Sequence, residues 1–557
     1  MSHRQGKKLS RRDFVKGAGA VGMMGTLAAC APQVIEKTVE VEKVVEKVVK
    51  ETVIMEKTVE VVKEAAPVVG APKRGGVLVD ARPDSPPDLD PQVSALNTDP
   101  GQKLIPMIYQ PLVDYLPDME LWPMLAVSWE RTGERTWAFK LRQGVKWHNG
   151  REFEMEDVIF SYDRIMDENS GSIARDWMAN IDSYEALDKE TLQLNLKEPD
   201  AQTPYTLYWS YIIPQEVQDE PEGFIAANAI GTGPFKLESW KPDVETILVR
   251  NEDYWEPGLP HLDGIDIRII PEEASAIAAL RAGEVDHLSL VDNNNFDLLK
   301  ANPDLTLTQK ANNGAYWMNF NGDKPPMDDL KVRQAMSTAL DREEFLDIVG
   351  AGLGTVCGVV PPAFKEFFVP ASELPYYQYD VEEAKRLLKE SSVPDGFKMD
   401  ILVIPTSPLR VQSAELCKKF WEAIGIEVEL RAMETNVWLD TVVNTEDFFF
   451  NTNIGLKHAI PEDIHLTHLG CDGFLPSVYG PCFSELDDLA RESKATTDLA
   501  ERKKLLRDLQ IGVAELVPTI ITFSPNKVDA LQNWVRGFTP WPDTYHRGWQ
   551  YMWLDKA

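Results

Sequence analysis

The sequence predicts an α/β fold divided over several domains. Its 557 residues correspond to two to four domains, at roughly 100–200 residues per domain. Its composition of 43% hydrophobic and 26% charged residues is ordinary for a globular protein with a large core. From Lys73 onward, short β-patterned runs alternate with amphipathic helical segments, which is typical of α/β lobes.

The first 30 residues resemble an export signal. Ser-Arg-Arg-Asp-Phe-Val-Lys precedes an apolar stretch, residues 17–29, that is too short to span a bilayer as a helix. The paired arginines resemble a twin-arginine signal, and Leu27-Ala28-Ala29-Cys30 resembles a lipoprotein cleavage box. We therefore expect Cys30 to be lipidated and to hold the protein on the outer face of the cytoplasmic membrane, periplasmic or cell-surface. A basic tail with an unmodified Cys30 would leave the order of the two motifs unexplained.

Residues 31–72 are predicted to be a tether rich in Val, Glu and Lys. Its apolar residues recur every seven positions, at Val34, Val41, Val48, Met55 and Val62, as in a heptad seam of about four repeats. The favoured interpretation is a semi-rigid spacer, because Val and Thr are weak helix formers and a lone amphipathic helix is marginal. The alternative is a short coiled coil that oligomerises the protein.

The body has recognisable strands and helix ends. Strands are predicted at 77–80, 136–141, 191–196, 246–249, 265–270, 305–308, 316–320, 399–404, 426–430 and 519–523. Three helices carry end signals: Asp380 with Glu383 as a capping box before 381–389, Asp341 before a helix ending near Gly350, and Gly283 after 272–282.

Charge and motifs exclude several functions. Residues 31–557 carry 51 basic and 88 acidic side chains, a net charge of −37, so nucleic acid is not expected as a partner. From Lys73 onward, the sequence lacks the GxSxG, GxxxxGK[ST], HExxH and GxGxxG motifs. We therefore expect no catalytic residue, no cofactor and no resident metal, and an exported hydrolase is the less favoured alternative.

One cluster of metal-type side chains allows two interpretations. His458, His465 and His468 precede Cys471 within a short segment, which permits a metal site. The stronger interpretation is a disulfide between Cys471 and Cys482, which lie in a Gly/Pro-rich loop of an exported chain. For the other two cysteines, Cys357 and Cys417, two states remain open. They could form a second disulfide or be two buried thiols.

Several stretches, in order along the chain, resemble the family 5 extracellular solute-binding proteins of ABC importers, typified by oligopeptide- and dipeptide-binding proteins. The most specific is TWAFKLRQGVKWHNGREF at residues 136–153, followed by EDVIFS at 156–161. Further matching stretches are GTGPFKLESW from Gly231, NEDYW from Asn251, LRAGEVD from Leu280, MNFN from Met318 and DLKVRQAM from Asp329. The resemblance runs from about Gly75 to Phe538.

This resemblance implies a two-lobe, type II periplasmic-binding-protein (venus-flytrap) fold with an extra subdomain on the first lobe. The first lobe would comprise 73–115, 226–315 and 518–557, the extra subdomain 116–225, and the second lobe 316–517. Ligand would bind in the cleft between the lobes, and hinge closure would bury it.

The resemblance also implies candidate ligand-binding residues in three segments and one isolated position: Asp84, Ser85 and Pro86 after the first strand; Tyr316 and Trp317 at the hinge crossing; Gly455, Leu456, Lys457, His458 and Ala459; and Trp438, a stacking platform or a core residue. Tyr316 and Trp317 alternate faces on a strand, so only one can face the cleft. Peptide-binding members carry an Asp where Ala459 stands, and that Asp pairs with the peptide α-amino group. Its absence puts amine recognition in doubt, unless Glu462 or Asp463 substitutes.

The implied function is that of a lipid-anchored substrate-binding protein. It would capture a solute, most readily a short peptide, and deliver it to an ABC permease powered by ATPase subunits. An oligosaccharide or a metal chelate is the alternative ligand.

Overall fold

The computed structural model describes residues 71–556 except 97, 222, 291, 446, 455–457, 474–480 and 544–546. The expected signal peptide (1–30), its Cys30 and nearly all of the expected tether (31–72) therefore lie outside the described residues. The described residues belong to one compact unit, Ala65–Ala557. No helix in this described part has the length and apolarity needed to cross a membrane.

The largest sheet described has eight strands and mixed orientation. Val77–Arg82 lies at its centre, parallel to Gly264–Ile269 on one side and to His287–Ser289 on the other. The order across the sheet is Leu305–Ala311, Phe523–Gln532, His287–Ser289, Val77–Arg82, Gly264–Ile269, Glu245–Arg250 and Phe235–Lys241, with Gly354–Val356 paired to Phe523–Gln532.

A second sheet of five strands forms the other half of the molecule. Its order is Glu427–Ala432, Lys398–Val403, Phe450–Ile454, Tyr316–Phe320 and Thr519–Ile521. Tyr316–Phe320 and Thr519–Ile521 run antiparallel to each other, and the chain passes from one sheet to the other at each of them. Each sheet has its own core, one containing Leu78 and Ile265 and the other Ile401 and Ile520.

A third, antiparallel sheet belongs to the segment between the first strands of the large sheet. Its order is Ala126–Gly133, Thr136–Leu141, Thr191–Leu196 and Ile181–Ala186. Two short ribbons complete the strands: Val113–Tyr115 with Leu121–Pro123, and Val535–Arg536 with Trp553–Leu554.

Helices cover these sheets, and the predicted caps are present. Asp380 accepts hydrogen bonds from the amides of Glu382 and Glu383, Asp341 caps the next helix upstream in the same way, and Gly283 ends another with a φ of 74°. The α-helices are Asp99–Ile108, Met155–Met166, Ala174–Trp177, Thr203–Thr206, Phe224–Ala227, Glu273–Ala282, Phe296–Lys300, Leu330–Thr338, Arg342–Val349, Val381–Lys389, Pro408–Glu422, Thr435–Asp440, Pro461–His468, Ser484–Ala495 and Leu499–Leu516.

Two short strands depart from the expected division into lobes. Thr519–Ile521, expected in the first lobe, pairs in the five-stranded sheet, because the returning chain hydrogen-bonds with Tyr316–Phe320 before it crosses. Gly354–Val356, expected in the second lobe, pairs with the Phe523 end of a first-lobe strand.

Candidate functional site

A cavity of about 370 Å³ lies between the large sheet and the five-stranded sheet. Its volume falls within the roughly 300–1,000 Å³ of typical ligand pockets. The lining residues come from both halves: Asp80, Ala81, Arg82, Pro83, Asp99, Lys103, His287, Ser289, Leu290, Asn293, Asn312, Gly314, Ala315, Tyr316, Leu409, Pro525, Asn526, Lys527 and Trp549.

The large sheet positions the charged wall of this cavity. Asp80 and Arg82 lie two residues apart near the carboxyl end of Val77–Arg82, so their side chains share one face. His287 pairs in register with Asp80 on the neighbouring parallel strand. Lys527 and Asp529 likewise share a face on the next strand, where Asp529 lies opposite Ser289. Ligand sites in α/β sheets form at this carboxyl edge.

These side chains form a buried chain of ion pairs. Asp80 Oδ2 accepts from Arg82 Nε at 2.7 Å, and Asp80 Oδ1 lies 2.7 Å from His287 Nδ1. Asp529 Oδ1 lies 3.4 Å from His287 Nε2 and 3.7 Å from Lys527 Nζ. Burial alone would raise the pKa of Asp80, but Arg82 and His287 outweigh it and lower that pKa to about 2. Burial would lower the pKa of His287, but hydrogen bonds and charges of Asp529 and Asp80 raise it above its ordinary value.

The mouth of the cavity carries an ion pair on the helix Asp99–Ile108. Lys103 Nζ lies 2.5 Å from the Asp99 carboxylate one turn away, and the Asp99 side chain is 49% exposed. Thr98 caps this helix through its hydroxyl, which accepts from the Gly101 amide. The cap fixes the first turn, and with it Asp99, beside the cavity.

The hinge strand presents Tyr316, and not Trp317, to the cavity. Tyr316 lines it, packs edge-on against Phe523, and has its pKa raised to about 12 by burial and by Asp292. Trp317 is 1% exposed and contacts the ring of His468 in the core behind the strand. The alternation of a β-strand separates the two neighbours in this way.

Other expected site residues lie beside the cavity lining. The lining ends at Pro83, one residue before Asp84. Asp84 is exposed and Pro86 is buried, while the Ser85 hydroxyl is 3.2 Å from the Asp243 carboxylate and accepts from its amide at 3.0 Å. Trp438 is buried with the Arg410 guanidinium 4.7 Å from its ring, and Leu409, next to Arg410, lines the cavity.

The segment around Ala459 lies behind the hinge strand. Gly455, Leu456 and Lys457 are outside the described residues. His458 and Ala459 are buried, and the His458 carbonyl accepts from Asn313 Nδ2 at 3.0 Å. Neither side chain is among the lining residues.

Glu462 and Asp463 cannot supply the missing carboxylate. Glu462 is fully buried and binds Arg502 through both oxygens, at 2.8 and 2.9 Å. Asp463 pairs with Lys494 at 2.8 Å. Both acids are paired inside the second half of the molecule and are absent from the cavity lining, so neither stands where it could replace the missing Asp.

The histidine cluster is a buried hydrogen-bond network. His458 Nε2 and His468 Nε2 are 3.1 Å apart, and burial lowers the pKa of both rings, that of His458 to about 3. His465 Nε2 lies 3.0 Å from Asp487, which also accepts from the Cys471 amide. Among the described residues, no group of three or more metal-type side chains is placed to hold an ion.

The cysteines divide into one bridge and two thiols. Cys471 and Cys482 are bonded, with Cα atoms 5.1 Å apart. Cys357 and Cys417 are buried free thiols, and burial raises the pKa of each above its ordinary value.

The charged side chains of the cavity lining were all missed from the sequence: Asp80, Arg82, Asp99, Lys103, His287 and Lys527. They lie on three separate strands and one helix, and only the tertiary fold brings them together. The weak signal available was position, since Asp80, Arg82 and His287 lie next to apolar residues in VLVDAR and HLSL.

Two α/β halves joined by a paired crossing, with a cavity between them, define a two-lobe binding protein of the type II periplasmic class. The profile of bacterial extracellular solute-binding proteins, family 5 Middle, matches residues 120–459, and a twin-arginine translocation signal matches residues 8–28. The chain belongs to this family.

Relatives and solved structures agree over most of the chain. It is 25% identical over 507 residues to the dipeptide-binding protein of Escherichia coli K12, covering 85% of this chain and 94% of that protein. It is 28% identical to heme-binding protein A of Haemophilus influenzae, and the match covers 79% of this chain and 85% of that protein. A solved structure of the Helicobacter pylori ABC transporter-associated periplasmic binding protein DppA contains the peptide STSA. It superposes on this chain with a TM-score of 0.74 at 26% identity, and the match covers 87% of this chain and 99% of that one. Listeria monocytogenes CtaP superposes at 0.78 with 23% identity, which supports the fold alone.

These findings confirm the expected family and the expected fold class. The protein is an exported solute-binding component of an ABC importer.

Proposed function

We propose that this protein captures short peptides in the cavity between its lobes and delivers them to a membrane permease. The observation that carries the proposal is the charge of the cavity wall. Six of its lining side chains are carboxylic acids or nitrogen bases, and they include both signs. A zwitterionic peptide matches such a wall, since its amine and carboxylate need opposite partners.

The acid best placed for the peptide amine is Asp99. Asp80 has one carboxylate oxygen on Arg82 and the other on His287. Asp99 lies at the mouth with half its side chain exposed, so an amine can reach it. A buried ammonium without such a counter-charge would be strongly destabilised.

The alternative ligands fit the wall less well. Oligosaccharides are neutral and stack on aromatic faces, whereas the described lining contains two aromatic side chains, Tyr316 and Trp549, among its charged ones. A metal chelate with an open coordination position would bind an imidazole most readily, and both nitrogens of His287, the imidazole in the lining, face carboxylates. Relatives include a di/tripeptide-binding protein of Pseudomonas aeruginosa, which supports the peptide proposal.

Delivery would follow from closure of the two lobes. The proposed first lobe is 73–115, 226–315 and 518–557 with its subdomain 116–225, and the second is 316–517, subject to the two strand exchanges described above. Ligand would favour the closed state by binding it more tightly than the open one. The permease would recognise that closed state, and its ATPase subunits would supply the energy.

The proposal also includes a lipid anchor. Lipidation at Cys30 would hold the mature chain on the outer face of the cytoplasmic membrane, with 31–72 as tether. Several acyl chains give stable anchoring, because each buried CH₂ contributes about 0.8 kcal/mol. In the producing cell, Cys30→Ala should move the protein from the membrane fraction to the soluble exported fraction. An unchanged distribution would contradict the anchor.

Thermal unfolding with defined peptides tests the ligand. A peptide at 100 times its dissociation constant stabilises the folded state by about 2.7 kcal/mol. We expect di- and tripeptides to raise the unfolding temperature, and oligosaccharides and nickel chelates to leave it unchanged. A rise with sugars or chelates alone would reassign the ligand, and the function would remain that of a binding protein.

A further inference from the structure

One wall of the cavity carries a continuous row of five ionisable side chains. The row runs across three adjacent strands in the order Arg82, Asp80, His287, Asp529 and Lys527. All five are nearly inaccessible, between 0 and 7% exposed. Buried charges on this scale are costly unless each is paired, so the row is a built feature and not a solvated surface.

The charge of this row is decided by one imidazole. Arg82 and Lys527 balance Asp80 and Asp529, so the row is neutral when His287 is neutral and carries +1 when His287 is protonated. Among the described residues, those two carboxylates face His287, with Arg82 and Lys527 beyond them. The rings of Phe538 and Trp549 also lie against it, with centroids 5.2 and 5.6 Å away.

The row also offers donors to the cavity. Arg82 uses Nε on Asp80, its Nη2 lies 3.9 Å from Met107 Sδ, and its guanidinium carbon lies 5.9 Å from the centre of the Trp549 ring. Its terminal N–H groups are therefore available to a carboxylate, for which a guanidinium fork is the matched partner. Lys527 also lines the cavity, and its ammonium lies 3.7 Å from Asp529.

We propose that this row is a carboxylate subsite, in which Arg82 and Lys527 contact an anionic group of the ligand and His287 takes up a proton as that group binds. The inference rests on the proposed function, since the carboxylate would be the C-terminus or an acidic side chain of a short peptide. The proton comes from solvent and is retained on the imidazole between Asp80 and Asp529. Anion binding and protonation then favour each other, as linkage requires.

The test is calorimetric titration of the full chain with dipeptides and with the same dipeptides as C-terminal amides. A second probe, succinate, supplies a carboxylate without a peptide. Above the pKa of His287, affinity for the free carboxylate should fall by about tenfold per pH unit. The amide should bind more weakly at low pH and show no such slope. Titration in buffers of different ionisation enthalpy should report uptake of up to one proton per carboxylate ligand.

Matched variants locate the proton. His287→Gln should remove the slope and the proton uptake, whereas His261→Gln, on the same lobe but outside the cavity lining, should keep both. The pH and buffer series on the wild-type protein needs no substitution. It therefore tests proton uptake on carboxylate binding even if His287→Gln does not fold.

Each outcome decides between the two proposals. Peptide binding with equal affinity for acid and amide at every pH would overturn the subsite and leave the peptide function standing. Succinate binding with the proton uptake, but no peptide binding, would support the subsite and overturn the peptide function. Binding of neither probe would overturn both.

Discussion

The buried pair Glu462–Arg502 gives the sharpest test of what stabilises the second lobe. Arg502 on the helix Leu499–Leu516 donates to both carboxylate oxygens of Glu462, and the Ser493 hydroxyl donates to one of them at 2.5 Å. Arg502→Met removes the positive partner and leaves a fully buried carboxylate. Breaking such a pair by removing one member costs about 3–5 kcal/mol.

This free energy converts into a measurable shift. The 485 residues from Lys73 to Ala557 have an unfolding entropy of about 1 kcal/mol/K at roughly 2.1 cal/mol/K per residue. Arg502→Met should therefore lower the unfolding temperature by about 3–5 °C for cooperative unfolding of the body. Calorimetry and urea denaturation should agree on the loss.

The double variant Glu462→Gln/Arg502→Met separates charge from packing. It removes the orphaned charge, so it should recover most of the stability lost in Arg502→Met, because an apolar or neutral replacement of a buried pair is often nearly neutral. A double variant no more stable than Arg502→Met would refute the reasoning and assign the loss to packing of the Arg502 stem.

Three further predictions follow from the described contacts. Replacing Cys471 and Cys482 by Ser should cost up to about 3 kcal/mol in urea denaturation, and reductant should destabilise the wild type but not this variant. Tyr316→Ala should weaken ligand binding in calorimetric titration and cost less stability than Trp317→Ala, which removes a core side chain at about 3–5 kcal/mol. Equal effects of the two substitutions on binding would contradict the conclusion that only Tyr316 faces the cavity. The pKa of Asp80 is lowered from 3.8 to about 2, so its contribution to stability is present above pH 3.8 and is lost as the pH falls through 2. Asp80→Asn should therefore flatten the acid limb of stability, and an unchanged acid limb would contradict this.

Strands with a clear pattern were predicted accurately from the sequence. The observed bounds of Thr136–Leu141, Thr191–Leu196 and Tyr316–Phe320 equal the predicted ones. The Asp380 cap was also predicted, but only half of the capping box forms. Glu383 pairs with Arg386 at 2.6 Å, and the Asp380 amide donates instead to the Thr338 carbonyl at 3.0 Å.

The strand Phe523–Gln532 was not predicted, and its sequence shows why. A single strand was expected at 519–523, whereas the structure has Thr519–Ile521 in one sheet and Phe523–Gln532 in the other. Pro525, Asn526 and the charged residues after them are typical of a loop. They lie in a strand because their backbone pairs with neighbouring strands and Asp529 contacts Ser289 and His287 on one of them, a tertiary effect that local propensity does not contain.

The candidate site was predicted only in part for the same reason. The resemblance led to Tyr316, and alternation correctly limited the hinge pair to one cavity residue. Arg82, His287 and Lys527 lie in three separate stretches of sequence, and no local pattern links them. Their meeting depends on the register between strands.

The two crossings between the sheets lie side by side, and this has a mechanical consequence. Tyr316–Phe320 pairs with Thr519–Ile521, and beyond them Ser524 Oγ donates to the carbonyls of Asn312 and Gly314 at 3.0 and 2.7 Å. A ribbon of two cross-linked strands bends readily across its flat face and resists shear and twist. In the proposed closure, the paired strands would therefore favour rotation of the lobes about a single axis. Tyr316 lies in one of these paired strands and also lines the cavity. A ligand that contacts Tyr316 would therefore contact the axis of the proposed lobe rotation.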